Sequence, residues 1–153
     1  MHRLERTQQL PISMAEAWDF FSSPGSLQTI TPAYMGFKII DGFNPGEKMV
    51  EEMLITYTVR PVLGIPVKWV TLISEVQEPN LFVDEQLEGP YTYWRHEHYF
   101  KEVEGGVEMR DVINYKIRFG IFGALAHWLF VGRQLAGIFD YRYKVLEERF
   151  GKF

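Results

Sequence analysis

Residues 89–117 read GPYTYWRHEHYFKEVEGGVEMRDVINYKI, two β-rich runs joined across a glycine pair. Strand side chains alternate between faces, so the turn fixes which residues of the two runs share a face. The turn lies within Glu102–Gly106, where glycine takes positive φ at no steric cost. A two-residue Gly105-Gly106 loop sets His98 opposite Ile113. A Glu104-Gly105 loop, or a four-residue loop from Val103, sets it opposite Asp111. Each alternative gathers Trp94, His96, His98 and Phe100 with Met109, Asp111, Ile113, Tyr115 and Ile117. The other face holds Arg95, Glu97, Tyr99, Lys101, Glu108, Arg110, Val112, Asn114 and Lys116, a charge-paired solvent face. The histidines therefore point inward, with Asp111 beside them.

Outward from this hairpin, four further runs precede it: FKIID, MVEEMLITYTV, VKWVTLISEV and LFVDEQLE, separated by FNPGE, RPVLGIP, QEPN and EGPY. Connections this short favour antiparallel neighbours. Met53, Ile55, Tyr57 and Val59 form the interior set of the second run. Periodicity leaves the inward face of 67–76 and 81–88 open, and Asp84 with it. The segment RPVLGIPVKW reads as a loop that carries Val62, Leu63 and Ile65.

Leu4 to Leu10 is a first strand. Ser13 to Glu16 has the spacing of a capping box and opens a helix to about Ser22. A second helix is expected with Ser23 as N-cap and Pro24 at its first position, ending near Thr31 before Pro32. Residues 119–150 form the last element. Leu125, Leu129, Gly132, Ala136, Phe139, Tyr143, Leu146 and Phe150 recur at helical spacing, one apolar stripe. IFGALAHWLFV is apolar around most of its circumference, which suits deep burial first and a dimer or membrane surface second. The glycines at 123, 132 and 137 leave room beside a sheet or for a cavity. The class is α+β: a meandering sheet with one apolar face, covered by the long C-terminal helix.

The 153 residues fit one domain, 1–153, able to hide about 70% of its unfolded surface. There is no cysteine, which excludes disulfides, thiolate nucleophiles and Cys-based metal sites. A formal charge of −4, with basic residues interleaved among acids, argues against nucleic acid. No signal-type run opens the chain, and 117–131 is too short to span a bilayer. The expectation is a cytoplasmic protein without stable membrane insertion, its oligomeric state open. Aromatics make up 16% of the residues, enough for a thick core or a pocket wall.

Two histidines and a carboxylate invite a metal, yet Glu75, Asp84, His2 and His127 have no spacing that commits a further ligand, so no metal or cofactor is assigned. A catalytic His98–Asp111 pair is chemically sound, but no nucleophile motif accompanies it. A satisfied polar pair needs no function at all. The leading reading is a polar patch in an apolar cavity that orients a bound molecule.

FFSSPGSLQTITP, ITYTVRPVLGIPVKWVTLI, FVDEQLEGPYTYWRHEHYF, MRDVINYKI and GIFDYRYKVLEERF, in this order of elements, resemble the ligand-binding SRPBCC proteins of the START-like, Bet v 1-like superfamily. Arg118 stands where the resemblance leads one to expect proline. The resemblance implies a helix-grip fold, a seven-stranded antiparallel sheet wrapped around the C-terminal helix with a cavity between them. It implies binding of a small hydrophobic, aromatic or lipid-like molecule, while polyketide cyclase-like relatives keep an enzyme open and a docking module through Val62–Ile65 stands third. Carried over by position, the cavity candidates are Tyr57, Trp69, Thr71, Trp94, His96, His98, Asp111 and Tyr115, with Leu129, Ala136 and Phe139 from the helix.

Overall fold

Antiparallel pairing organises the whole sheet: from the second strand to the seventh each lies beside its predecessor, and the first pairs with the last. In the computed structural model, which describes residues 1–42, 46–62, 64–117, 122, 125 and 127–153, seven strands run β1 His2–Leu10, β2 Lys38–Asp41, β3 Leu54–Val62, β4 Ile65–Gln77, β5 Leu81–Glu88, β6 Tyr91–Val103 and β7 Gly106–Ile117. Their spatial order is β1-β7-β6-β5-β4-β3-β2. The helices are α1 Met14–Phe21, α2 Ser26–Thr29 and α3 Gly132–Phe150, the last entered through a wide turn at His127–Val131.

The deciding hairpin takes the Glu104-Gly105 loop: Val103 pairs with Gly106 and His98 with Asp111. Gly105 sits at φ 86°, and a Cβ on Gly106 would lie 2.0 Å from the Leu10 carbonyl oxygen. Both glycines are therefore required, one by conformation and one by the close passage of β1. Ser13 caps α1 as expected: its hydroxyl accepts from the Glu16 N–H at 3.1 Å while Glu16 reaches back. That helix buries Ala17, Trp18 and Phe21, and Trp18 sets its edge against Phe82 and Phe100.

Several expectations need correction. α2 starts two residues late, because the carbonyls of Ser23 and Pro24 accept from Ser26 and Leu27 in an entry turn. Strand β3 begins at Leu54; Glu52 adopts φ 69° and breaks the regular ladder before it. The expected 60–69 loop is mostly strand, with Val62 paired to Ile65 at a hairpin tip. The buried stripe of α3 is Leu135, Phe139, Arg142 and Leu146. It is rotated from the expected one because Arg142, a residue hydrophobic periodicity discounts, occupies a core position. Tyr143, Leu125 and Leu129 are exposed, and so are Phe122 and Phe130, so IFGALAHWLFV is not deeply buried along its described side chains. Leu63, Arg118 and Gly123 lie outside the described residues.

Two hydrophobic clusters fill the space between sheet and helices. One gathers Leu10, Trp18, Phe21, Ile55, Ile73, Phe82, Phe100 and Leu146. The other gathers Val59, Trp69, Trp94, Ile113, Tyr115, Leu135 and Phe139. His96, His98 and Asp111 are buried with them under α3, and Asp84 of β5 is half-buried beside them.

Candidate functional site

The register places Asp84 opposite His96, and Asp111 opposite His98, so three adjacent strands aim four polar side chains at α3. His98 Nε2 stands 2.6 Å from Asp84 Oδ2, and His96 Nε2 stands 2.8 Å from Asp111 Oδ1. The imidazoles stack at 3.6 Å, and Phe82 stacks on the far side of His98 at 4.0 Å. The Trp94 indole N–H donates to Asp84 Oδ1 at 3.3 Å. From α3, Arg142 Nη1 approaches Asp111 Oδ1 to 3.3 Å, and its guanidinium lies over the Phe21 and Phe139 rings. His98 Nδ1 is 3.3 Å from Asp111 Oδ1 but is not aligned for a hydrogen bond.

The electrostatics follow from burial and partners. Burial pushes the Asp111 carboxyl up, but the Arg142 charge and both histidines outweigh it and hold it well below the usual range. Burial opposes the Asp84 charge too, and His98 with His96 overcomes that. Burial, then the neighbouring His98, lowers His96 despite Asp111. Burial also disfavours the charged form of His98, yet Asp111 and Asp84 together raise it. We assign His98, whose Nε2 faces Asp84, as the histidine that holds its proton to higher pH, and His96, whose Nε2 faces Asp111, as the one that loses it first. With His98 protonated and His96 neutral, the two carboxylates balance one guanidinium and one imidazolium.

This assignment predicts two separate titrations in ¹⁵N-resolved histidine spectra. His98 has its midpoint above and His96 below the ordinary value of about 6.5. The signs for stability oppose each other. The His98 contribution is full below about pH 6.5 and is lost as pH rises through its raised folded pKa. The His96 contribution is full above about pH 6.5 and is lost as pH falls through its lowered folded pKa. A single shared midpoint at the unperturbed value would contradict the assignment.

A cavity of about 260 Å³ lies between the sheet and α3, close to the roughly 300–1,000 Å³ common for small-molecule sites. Tyr57, Trp69, Thr71, Trp94, His96, His98 and Phe139 line it, joined by residues the sequence reading did not single out: Phe82, Asp84, Tyr91, Leu135 and Arg142. Trp69 stacks on Tyr57 at 5.8 Å and meets Trp94 edge-on at 5.1 Å. The Thr71 hydroxyl donates to the Tyr57 oxygen at 3.3 Å. Burial, with Asp84 nearby, raises the Tyr57 phenol, which stays protonated.

The remaining candidates fall elsewhere. Asp111 stands behind the histidines, in the wall of a second cavity of about 130 Å³ shared with Arg142 and Gln8. Tyr115 is buried against Tyr91 and Trp94, outside the main cavity lining. Ala136 is half-buried and also outside it, and Leu129 is 55% exposed. Asp84 had a signal in the sequence: once β5 and β6 pair, even positions of both strands share a face. Arg142 had none, because a buried arginine is legible only from the carboxylate it meets.

Asp84, His96 and His98 offer three ligating atoms within 4.8 Å of one another. A single ion needs nitrogen lone pairs converging at about 2.0–2.1 Å. Here the rings stack with 26° between their planes, and their Nε2 atoms face different carboxylates, Asp111 and Asp84. Both Nε2 atoms are also already at hydrogen-bonding distance from carboxylates. The geometry is that of a proton-sharing cluster.

The chain has the Bet v 1/START-like helix-grip fold. A START superfamily protein from Mycobacterium smegmatis superposes with a TM-score of 0.71 at 13% identity, over 98% of this chain and 97% of that one. The major latex-like protein 151 of Panax ginseng gives 0.69 at 12%, over 97% of each. A Thermus thermophilus protein gives 0.69 at 16%, over 97% and 96%. No family model and no curated protein sequence matches the chain.

Proposed function

We propose that the protein binds and carries a small hydrophobic molecule, aromatic-ringed or lipid-like, between the sheet and α3. The observation that carries this reading is the cavity itself: apolar, walled by Tyr57, Trp69, Tyr91 and Trp94, with one polar end at His96, His98 and Asp84. Such pockets take their affinity from apolar burial and their orientation from a few placed polar groups. The charge balance of the polar end suits an uncharged ligand, since a carboxylate there would break it. Among the described residues the histidines hydrogen-bond carboxylates and stack on each other, and no hydroxyl is bonded to them as an activated nucleophile would be. Their opposite protonation states fit a cyclase-like proton transfer as the second reading.

The experiment is native mass spectrometry of the purified protein, paired with titration by the neutral dye N-phenyl-1-naphthylamine. A retained apolar molecule, or saturable one-to-one dye uptake displaced by extracted lipid, is expected. A ligand-free protein that takes up no dye would sink the reading.

A further inference from the structure

The acidic residues of this chain are unevenly placed. Residues 53–74 and 112–139 contain five of the sixteen Lys and Arg and none of the twenty Asp and Glu. One segment is the β3–β4 hairpin; the other runs from β7 into α3. They meet at one end of the cavity, where Gln134 Nε2 donates to the Pro61 carbonyl at 2.6 Å. Phe130 is 44% exposed and also lines the cavity, which marks this end as the mouth. The acids collect at the opposite end of the sheet, with Glu102 and Glu104 at the β6–β7 turn and Glu75 and Glu78 near the β4–β5 turn. Glu88 is the acid nearest the mouth on β5, and Lys68 pairs with it at 3.6 Å. The molecule is electrically polarised along its length despite the interleaving seen in the chain as a whole.

Large apolar side chains project from the same end. Phe122 is 72% exposed, Ile65 57% and Leu129 55%, with the exposed cations Arg60 and Arg133 among them. Apolar tips set in a field where cations outnumber acids, with Glu88 already paired to Lys68, match an anionic bilayer interface, where each Lys or Arg near the surface strengthens binding several-fold. An acidic protein partner would answer the charge but leave that many isolated apolar tips without a shared groove. No described helix is long and apolar enough to cross a membrane, so the contact is peripheral.

We propose that the cavity mouth is a docking surface for anionic membranes, built from Arg60 and Ile65 on the β3–β4 hairpin and from Phe122, Leu129 and Arg133 before and at the start of α3. It rests on the carrier reading only for its purpose, delivering an apolar cargo without passage through water.

The test is flotation with vesicles of phosphatidylcholine alone and of phosphatidylcholine with phosphatidylglycerol, without added ligand. The wild type is expected to float with the anionic vesicles at about 0.1 M salt and to be released at about 1 M, where the Debye length falls from about 10 Å to about 3 Å. Arg133→Glu should weaken flotation about fivefold or more. Ile65→Ser/Phe122→Ser should abolish it while leaving dye uptake intact, because neither side chain lines the cavity. Equal flotation on both vesicle types, no flotation at all, or a wild-type dimer that the double variant dissociates would each overturn the proposal. Dye uptake without flotation would overturn docking and leave the carrier reading standing.

Discussion

Asp111→Asn is expected to lower the unfolding free energy by about 3–5 kcal/mol, the cost of stripping one partner from a buried charge pair. Asp111 carries the contacts that tie β7 to β6 and to α3: His96 Nε2 at 2.8 Å and Arg142 Nη1 at 3.3 Å. Without its charge, Arg142 is left buried against Phe21 and Phe139 with no counter-ion close by on β7. The companion variant Asp111→Asn/Arg142→Met should recover much of the loss, since an apolar replacement of a buried pair is often neutral. Urea unfolding of both single variants and the double variant closes the cycle, with a coupling of about 1–3 kcal/mol expected. Additive losses would show that the two side chains do not interact. The pH sign is fixed by the lowered Asp111 pKa: its contribution is full above about pH 3.9 and disappears as pH falls through the folded value. The gap between wild type and Asp111→Asn should therefore close in strong acid.

The hairpin at 91–117 was readable because local chemistry and burial agree there. Charged residues alternate with apolar and histidine positions, and glycines set the turn, so inward-facing His96, His98 and Asp111 follow from parity alone. The Ser13–Glu16 cap is legible for the same reason, being complete within four residues. Asp84 lies on a run where both faces carry apolar residues: Phe82 is 2% exposed on one and Val83 is fully buried on the other. Alternation carries no signal when both faces are covered. The α3 stripe departs from hydropathy at Arg142, because a charge takes a core position only through partners distant in sequence. Leu129 and Ala136 enter the candidate list through position in the family resemblance, which does not record that one is exposed and the other lies outside the cavity lining. The exposed tips between Phe122 and Phe130 read as core because hydropathy does not record which apolar side chains lack neighbours.

Leu135→Trp is expected to weaken dye binding at least a hundredfold, about 2.7 kcal/mol or more. Leu135 projects from α3 into the cavity and is 5% exposed, so a larger side chain there extends into the space a ligand would fill. Because those atoms enter a cavity, the substitution should change the unfolding free energy by less than about 1.5 kcal/mol. Ile113→Phe supplies the contrast. Ile113 is fully buried in the same hydrophobic cluster but does not line the cavity. Its enlargement has no space to enter and should cost about 1–3 kcal/mol while dye affinity stays near the wild-type value. The pair separates volume from stability: one variant removes binding and keeps the fold, the other strains the fold and keeps binding. Unchanged dye affinity in Leu135→Trp would place the ligand outside this cavity. Equal destabilisation by both would mean that the space beside Leu135 is as tightly packed as the core around Ile113.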